Sequence, residues 1–158
     1  MIQLYSKYQP GGGFINSIRM ISLLFLLLIV TIGCQDTNKP EPLHAEDVCE
    51  NCRMAVSDIR FAAQAILKNG TRVKFDDVGC LVAFAEKPDV KHIWVGSYDQ
   101  KDWVRADFAA YVNSDDITTP MNSGIVAFSS KSTAHQYLYD NKGSLMTWDE
   151  MVGKSSKK

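Results

Sequence analysis

The chain has 158 residues, 46% of them apolar, with 17 basic and 18 acidic side chains. That length suits one compact body or two very small ones, and the apolar fraction is that of an ordinary globular protein. Only Lys7 and Arg19 are charged among the first 33 residues, so the remainder carries a formal charge of −3, which argues against nucleic acid as a partner.

Residues 1–33 read as a lipoprotein signal peptide. Ile21–Val30 is an almost unbroken apolar run behind two basic residues, the n-region and h-region of an export signal, and too short for a comfortable membrane span. It ends in Thr31-Ile32-Gly33-Cys34, which resembles the bacterial lipobox, where a small residue precedes a cysteine that is lipidated and becomes the mature N-terminus. The alternative is an uncleaved anchor with Cys34 incidental. Either arrangement puts the rest of the chain on the extracytoplasmic face of a bacterial membrane, held there by its anchor. Residues 34–43 carry Pro40 and Pro42 and no apolar periodicity, the composition of a flexible tether.

From His44 the chain runs one pattern twice. Phe61–Leu67 reads as a strand, Asn69-Gly70 as a hairpin turn and Arg72–Phe75 as the returning strand. Asp76 and Asp77 can cap a helix from Val78 to about Glu86, whose Val78, Leu81, Val82 and Ala85 form a core face, and Pro88 stops it. His92–Ser97 is the third strand. The second half repeats the order with strands at Phe108–Val112 and Gly124–Ser129, a helix capped by Ser130 or Ser132 that runs to about Asp140, and a short strand at Ser144–Trp148. This predicts an α+β fold of two tandem ββαβ units, 44–98 and 99–158, forming a small sandwich.

The chemistry gathers in Asp47–Met54, DVCENCRM. Cys49 and Cys52 form a C-x-x-C pair and Met54 follows two residues later; in an extended segment the sulfurs of Cys52 and Met54 point to one face. Thiolate with thioether favours Cu(I) over hard cations. A nearby guanidinium, such as that of Arg53, lowers a thiol pKa. A bare C-x-x-C also serves disulfides, redox sites and zinc sites. The alternatives are therefore a thiol-disulfide oxidoreductase using Cys49 and Cys52, or a structural zinc module adding Cys80 and a histidine. Cys80, on the first helix beside Leu81 and Phe84, reads as buried and inert. Met121 follows Thr118-Thr119-Pro120 in a loop, where a ligand and a packing role are both open. His44, His92 and His135 carry no ligand spacing. No nucleophile elbow, zincin helix or phosphate loop occurs, so nothing in the sequence supports catalysis.

CENCRM, the RFAAQ that follows it, FDDVGC, and YVNSDDITTPMNSGIVAF together resemble the NosL family, accessory lipoproteins of nitrous oxide reductase that act as copper chaperones. The likeness runs from about His44 to Trp148. It implies a tandem ββαβ fold and no catalysis. It also implies Cu(I) held at Cys52 and Met54 with Met121 as a further ligand, and nitrous oxide reductase or its copper-maturation machinery as partner. This chain departs from the family pattern at Arg53 and Asn122, where glycine is common.

Overall fold

The computed structural model describes residues 36, 38–85 and 89–155. The expected signal peptide, 1–33, and the lipidation site Cys34 lie outside the described residues, as do Glu86–Pro88 at the expected end of the first helix. Among the described residues no helix is long and apolar enough to cross a membrane.

The elements follow in the order β1 (Ala63–Leu67), β2 (Arg72–Phe75), α1 (Val78–Ala85), β3 (Val90–Gly96), β4 (Trp103–Arg105), β5 (Ala110–Asn113), β6 (Ile125–Phe128), α2 (Lys131–Asp140), β7 (Ser144–Met146) and α3 (Trp148–Ser155). They build an α+β fold with two small antiparallel sheets, ordered β2-β1-β3-β4 and β6-β5-β7. In both sheets a hairpin is followed by a helix, and the next strand returns to the free side of the hairpin's first strand. The β1–β2 turn has the geometry its residues dictate: Gly70 takes φ +86°, and the Asn69 Oδ1 accepts the Thr71 N–H at 2.9 Å. A bridge between Ser97 and Ala127, with the Tyr98 N–H donating to the Ala127 carbonyl at 2.7 Å, joins the end of β3 to β6.

One core cluster draws Phe75, Val78, Leu81, Phe84 and Val95 together with Tyr111, Ala127, Met146 and Met151, and α1 packs against β1, β6 and α3. A second, under α2, gathers Ala110, Val112, Val126, Phe128 and Ala134. The helix α1 is therefore apolar on nearly every side, whereas α2 buries only Ala134 fully.

Three expectations change. Residues 34–43 are not a free tether from Asn38 onward: Asn38–Pro42 lie across the outer face of the first sheet, which β1, β2 and β3 present through Gln64, Lys74 and Trp94. The Trp94 indole N–H donates to the Asn38 carbonyl at 3.2 Å, the Glu41 N–H to Gln64 Oε1 at 2.9 Å, and the Lys74 ammonium to the Pro42 carbonyl at 3.1 Å. Arg72 adds an ion pair to Glu41 at 3.1 Å. Two prolines keep this strap out of a regular ladder, and long polar side chains satisfy its backbone instead. Second, β4 pairs with β3 and so belongs to the first sheet, although it follows the 98/99 boundary. Third, the last strand ends at Met146, and Trp148 opens a further helix. The Thr147 Oγ1 accepts the Glu150 N–H at 3.3 Å while the Glu150 Oε2 accepts the Thr147 N–H at 2.8 Å, a reciprocal capping box.

Candidate metal centre

The loop that carries the C-x-x-C pair is closed on itself. Val48 bridges Ala55, the Cys49 N–H donates to the Met54 carbonyl at 2.8 Å, and the Arg53 N–H to the Cys49 carbonyl at 3.0 Å. Closing so short a loop puts Arg53 at φ +66°, so Cys52 and Met54 do not alternate along an extended strand as expected. Asn122, next to Met121, takes φ +54°. These are the two positions where the resemblance read from the sequence leads one to expect glycine, and a left-handed backbone is the conformation that glycine adopts without steric cost. The loop is also clipped to β2: Cys49 bridges Lys74, whose carbonyl accepts the Glu50 N–H at 2.9 Å.

Arg53 does not activate a thiol. Its guanidinium is largely exposed and lies 3.7 Å from Glu50. The Cys52 thiol is instead pushed up, by burial first and then by the Cys49 and Asp76 groups beside it, against a lowering contact from the Met54 backbone.

Cys49, Cys52 and Cys80 are all free thiols. Their Sγ atoms and a carboxylate oxygen of Asp76 lie within 4.8 Å of one another, in a cluster that no histidine joins among the described residues. Cys49 is fully buried, Asp76 and Cys80 are each 3% exposed, and Cys52 is half-buried. The Cys52 thiol donates to Asp76 Oδ1 at 3.2 Å, the Cys52 N–H to Cys49 Sγ at 3.5 Å, and the Asn51 side-chain amide to Cys80 Sγ at 3.5 Å. Burial holds the Cys80 thiol far above the ordinary thiol range. Cys80 is as buried as its helix position implies, yet it faces two other thiols. Asp76 does not cap α1 with its side chain, and its Oδ2 is buried without a hydrogen-bond partner.

The capping role belongs to Asp77, which is fully buried at the head of α1. Its Oδ1 accepts the Gly79 N–H and the Ser123 hydroxyl, each at 2.6 Å, and its Oδ2 accepts the Met121 N–H at 3.0 Å. Gly79 makes room for this docking, because a Cβ there would stand 2.8 Å from the Ser123 Cβ. Within the docked loop the Thr119 Oγ1 accepts the N–H groups of Ser123 and Gly124, at 3.0 and 3.3 Å.

The structure thus brings Cys49 and Cys52 together, and adds Asp76, which sequence reasoning assigned to capping, and Cys80, which it read as core and joined to the pair only in the zinc alternative, there with a histidine that the cluster lacks among the described residues. The missed signal was spacing, since Asp76 and Cys80 are four residues apart across a helix start. Met54 and Met121 are 42% and 44% exposed, on the two loops that converge on the Asp76-Asp77 pair. Three thiols and a carboxylate are a donor set compatible with a metal ion.

Among curated proteins the sequence matches none. Among solved structures the fold is similar to the crystal structure of the copper chaperone NosL from Shewanella denitrificans, with a TM-score of 0.65, 20% sequence identity, and coverage of 72% of this chain and 95% of that one. The NosL family model matches residues 40–155, from the strap to the last helix. That span includes the thiol cluster, both methionine loops and every strand and helix described, so the chain belongs to the NosL family.

Proposed function

We propose that the protein is a membrane-tethered, extracytoplasmic carrier of Cu(I) that supplies copper for the maturation of nitrous oxide reductase, and that it catalyses no reaction of its own. The observation that carries this reading is the half-buried Cys52 thiol, in a loop that also bears Met54, facing the head of α1 on which the Met121 loop is docked. Family membership supports it, and so does the likeness to a protein described as a copper chaperone.

Copper is the cargo. Cys52 supplies the anionic sulfur, Met54 and Met121 supply neutral thioethers from two exposed loops, and Cys49 lies behind Cys52 as a second thiol. Few soft donors near the surface allow an acceptor's sulfurs to replace them one at a time, so the ion is handed over without becoming free. Deprotonating Cys52 works against its burial, so binding releases a proton and strengthens as pH rises. The leader and Cys34 support a lipid anchor, and multiple acyl chains give a stable one.

The test is anaerobic Cu(I) titration of the reduced chain against a chromogenic chelator, followed by mixing with copper-free nitrous oxide reductase. One Cu(I) per chain, lost in Cys52→Ala and transferred to the reductase despite excess chelator, is the expected result. No tight Cu(I), or equal binding after Cys49 and Cys52 are oxidised, overturns the reading. Mass spectrometry of the mature N-terminus tests the anchor, which an unmodified Cys34 rules out.

A further inference from the structure

The strap shortens the connection between the expected acylated cysteine and the fold. As a free linker, residues 34–43 would reach about 35 Å when fully extended. The chain is instead fixed from Asn38 onward, where the Trp94 indole N–H reaches the Asn38 carbonyl at 3.2 Å and the Lys91 ammonium reaches its Oδ1 at 2.9 Å. Four peptide steps separate Asn38 from Cys34, at most about 14 Å of extended chain. A body of this size has a radius of gyration of about 13 Å, so the leash is no longer than the body's own radius. The surface around Asn38 is therefore held near the lipid.

That surface carries two aromatic rings. The strand register places Gln64, Trp94 and Arg105 side by side on the outer face of the first sheet. The Arg105 guanidinium lies 5.9 Å from the centre of the Trp94 ring and 6.0 Å from that of Phe108. Phe108, in the turn after β4, is 74% exposed, and the turn is closed by its backbone, the Phe108 N–H donating to the Arg105 carbonyl at 3.0 Å. Neither ring joins a core cluster among the described residues. Aromatic rings flanked by lysine and arginine suit the boundary between lipid and water, where the rings enter the headgroup level and the cations stay in the polar layer. Arg105 is already paired with Asp107 at 2.9 Å, so apolar contact outweighs net charge in the attraction.

We propose that the Trp94–Arg105–Phe108 face of the first sheet is a lipid-contact surface that fixes the orientation of the anchored protein. This rests on the reading of Cys34 as lipidated. The sheet order β2-β1-β3-β4 gives the orientation a consequence, because Phe108 follows one edge strand, β4, and the Cys49 loop is clipped to the other, β2. Three strand spacings, about 14 Å in all, separate those edges. Contact at the β4 edge therefore leaves the Cys49–Met54 loop on the far edge, open to a protein partner in the aqueous compartment.

The test uses the acylated chain isolated from membranes and reconstituted in vesicles of phosphatidylethanolamine and phosphatidylglycerol, with and without phosphatidylcholine bearing a doxyl quencher close to the headgroup. Tryptophan emission should be quenched by the doxyl lipid, and Trp94→Phe should remove about half of that quenching or more. Phe108→Asp, at an exposed position that the fold does not need, should weaken the quenching of Trp94 while leaving the circular dichroism spectrum unchanged. Absence of quenching in the wild type, or wild-type quenching in both variants, overturns the proposal. So does Trp94 emission that responds to a protein partner and not to lipid, which assigns the face to protein contact. The anchor fails separately: an unmodified Cys34 in mass spectrometry removes the leash and the proposal with it. An acylated chain without quenching sinks the lipid face alone, and the Cu(I) titration is independent of both.

Discussion

The carboxylate of Asp77 holds the backbone of Met121, 44 residues further along the chain, with Oδ2 accepting its N–H at 3.0 Å. The same carboxylate caps α1 through Gly79 and takes the Ser123 hydroxyl. One buried side chain thereby fixes the helix start and the loop of the second half against each other. In Asp77→Asn the amide oxygen can keep the two donors on Oδ1, but the amide N–H₂ then opposes the Met121 N–H. Loss of about 1–3 kcal/mol in urea unfolding is expected, with faster hydrogen exchange at Met121 than elsewhere in the second half.

Met54→Leu and Met121→Leu preserve volume at exposed positions, so apo stability should stay within about 1.5 kcal/mol of the wild type. Each should weaken Cu(I) by less than Cys52→Ala, which deletes the charged donor, as read by chelator competition. A copper-edge absorption spectrum that Met121→Leu leaves untouched would make Met121 a packing residue and confine the copper site to the first half.

Backbone strain should be measurable at Arg53 and Asn122. A non-glycine residue in the left-handed region costs about 1–2 kcal/mol, less for asparagine, while glycine gives some of that gain back through unfolded-chain entropy. Arg53→Gly, at φ +66°, should therefore stabilise by about 0.5–1 kcal/mol and Asn122→Gly, at φ +54°, by less. Paired urea melts of the reduced apo protein distinguish them.

Lys74 reaches both Asp47 and the Pro42 carbonyl, and both charged side chains are mostly buried. For Asp47, burial alone would raise the carboxyl, but the Lys74 and His44 hydrogen bonds outweigh it and hold it below its ordinary range. Lys74→Met leaves that carboxylate without its cation and should cost about 3 kcal/mol. It should also release the strap, seen as faster exchange of the Glu41 N–H.

The apo, reduced protein should lose stability on the alkaline side. Burial raises the Cys80 thiol in the folded state, and that of Cys52 less strongly. The unfolded chain therefore deprotonates first, near the free-thiol value of about 8.5, and from there stability falls with pH; below it the contribution is fully present. A fall of about 1 kcal/mol between roughly pH 8.5 and pH 9.5 is expected, and Cys80→Ala should remove most of it.

Much of this molecule was legible because its signals are local. Asn69-Gly70 names its turn, Ser130 caps α2 with its hydroxyl on the Thr133 N–H, and Val78 to Ala85 carry helical periodicity. The capping box of Thr147 and Glu150 was equally local, but the short apolar run before it suggested a strand to Trp148. The strap was read as linker because its partners Gln64, Arg72, Lys74 and Trp94 are distant in sequence and lie on the outer face of a sheet. Half of the thiol cluster was hidden for the same reason. Cys49 and Cys52 are a visible pair, while Asp76 and Cys80 join them only through the register of the Cys49–Lys74 bridge.

That bridge also sets an order of events in folding. The loop around Cys49, the β2–α1 junction and the Thr119–Gly124 loop are three separate stretches, and each must close a long chain segment before it meets the others. The thiol cluster and the two methionine loops therefore become neighbours only after the sheets have formed. A nascent polypeptide therefore has no assembled cluster, and the full donor set is offered only by the folded chain.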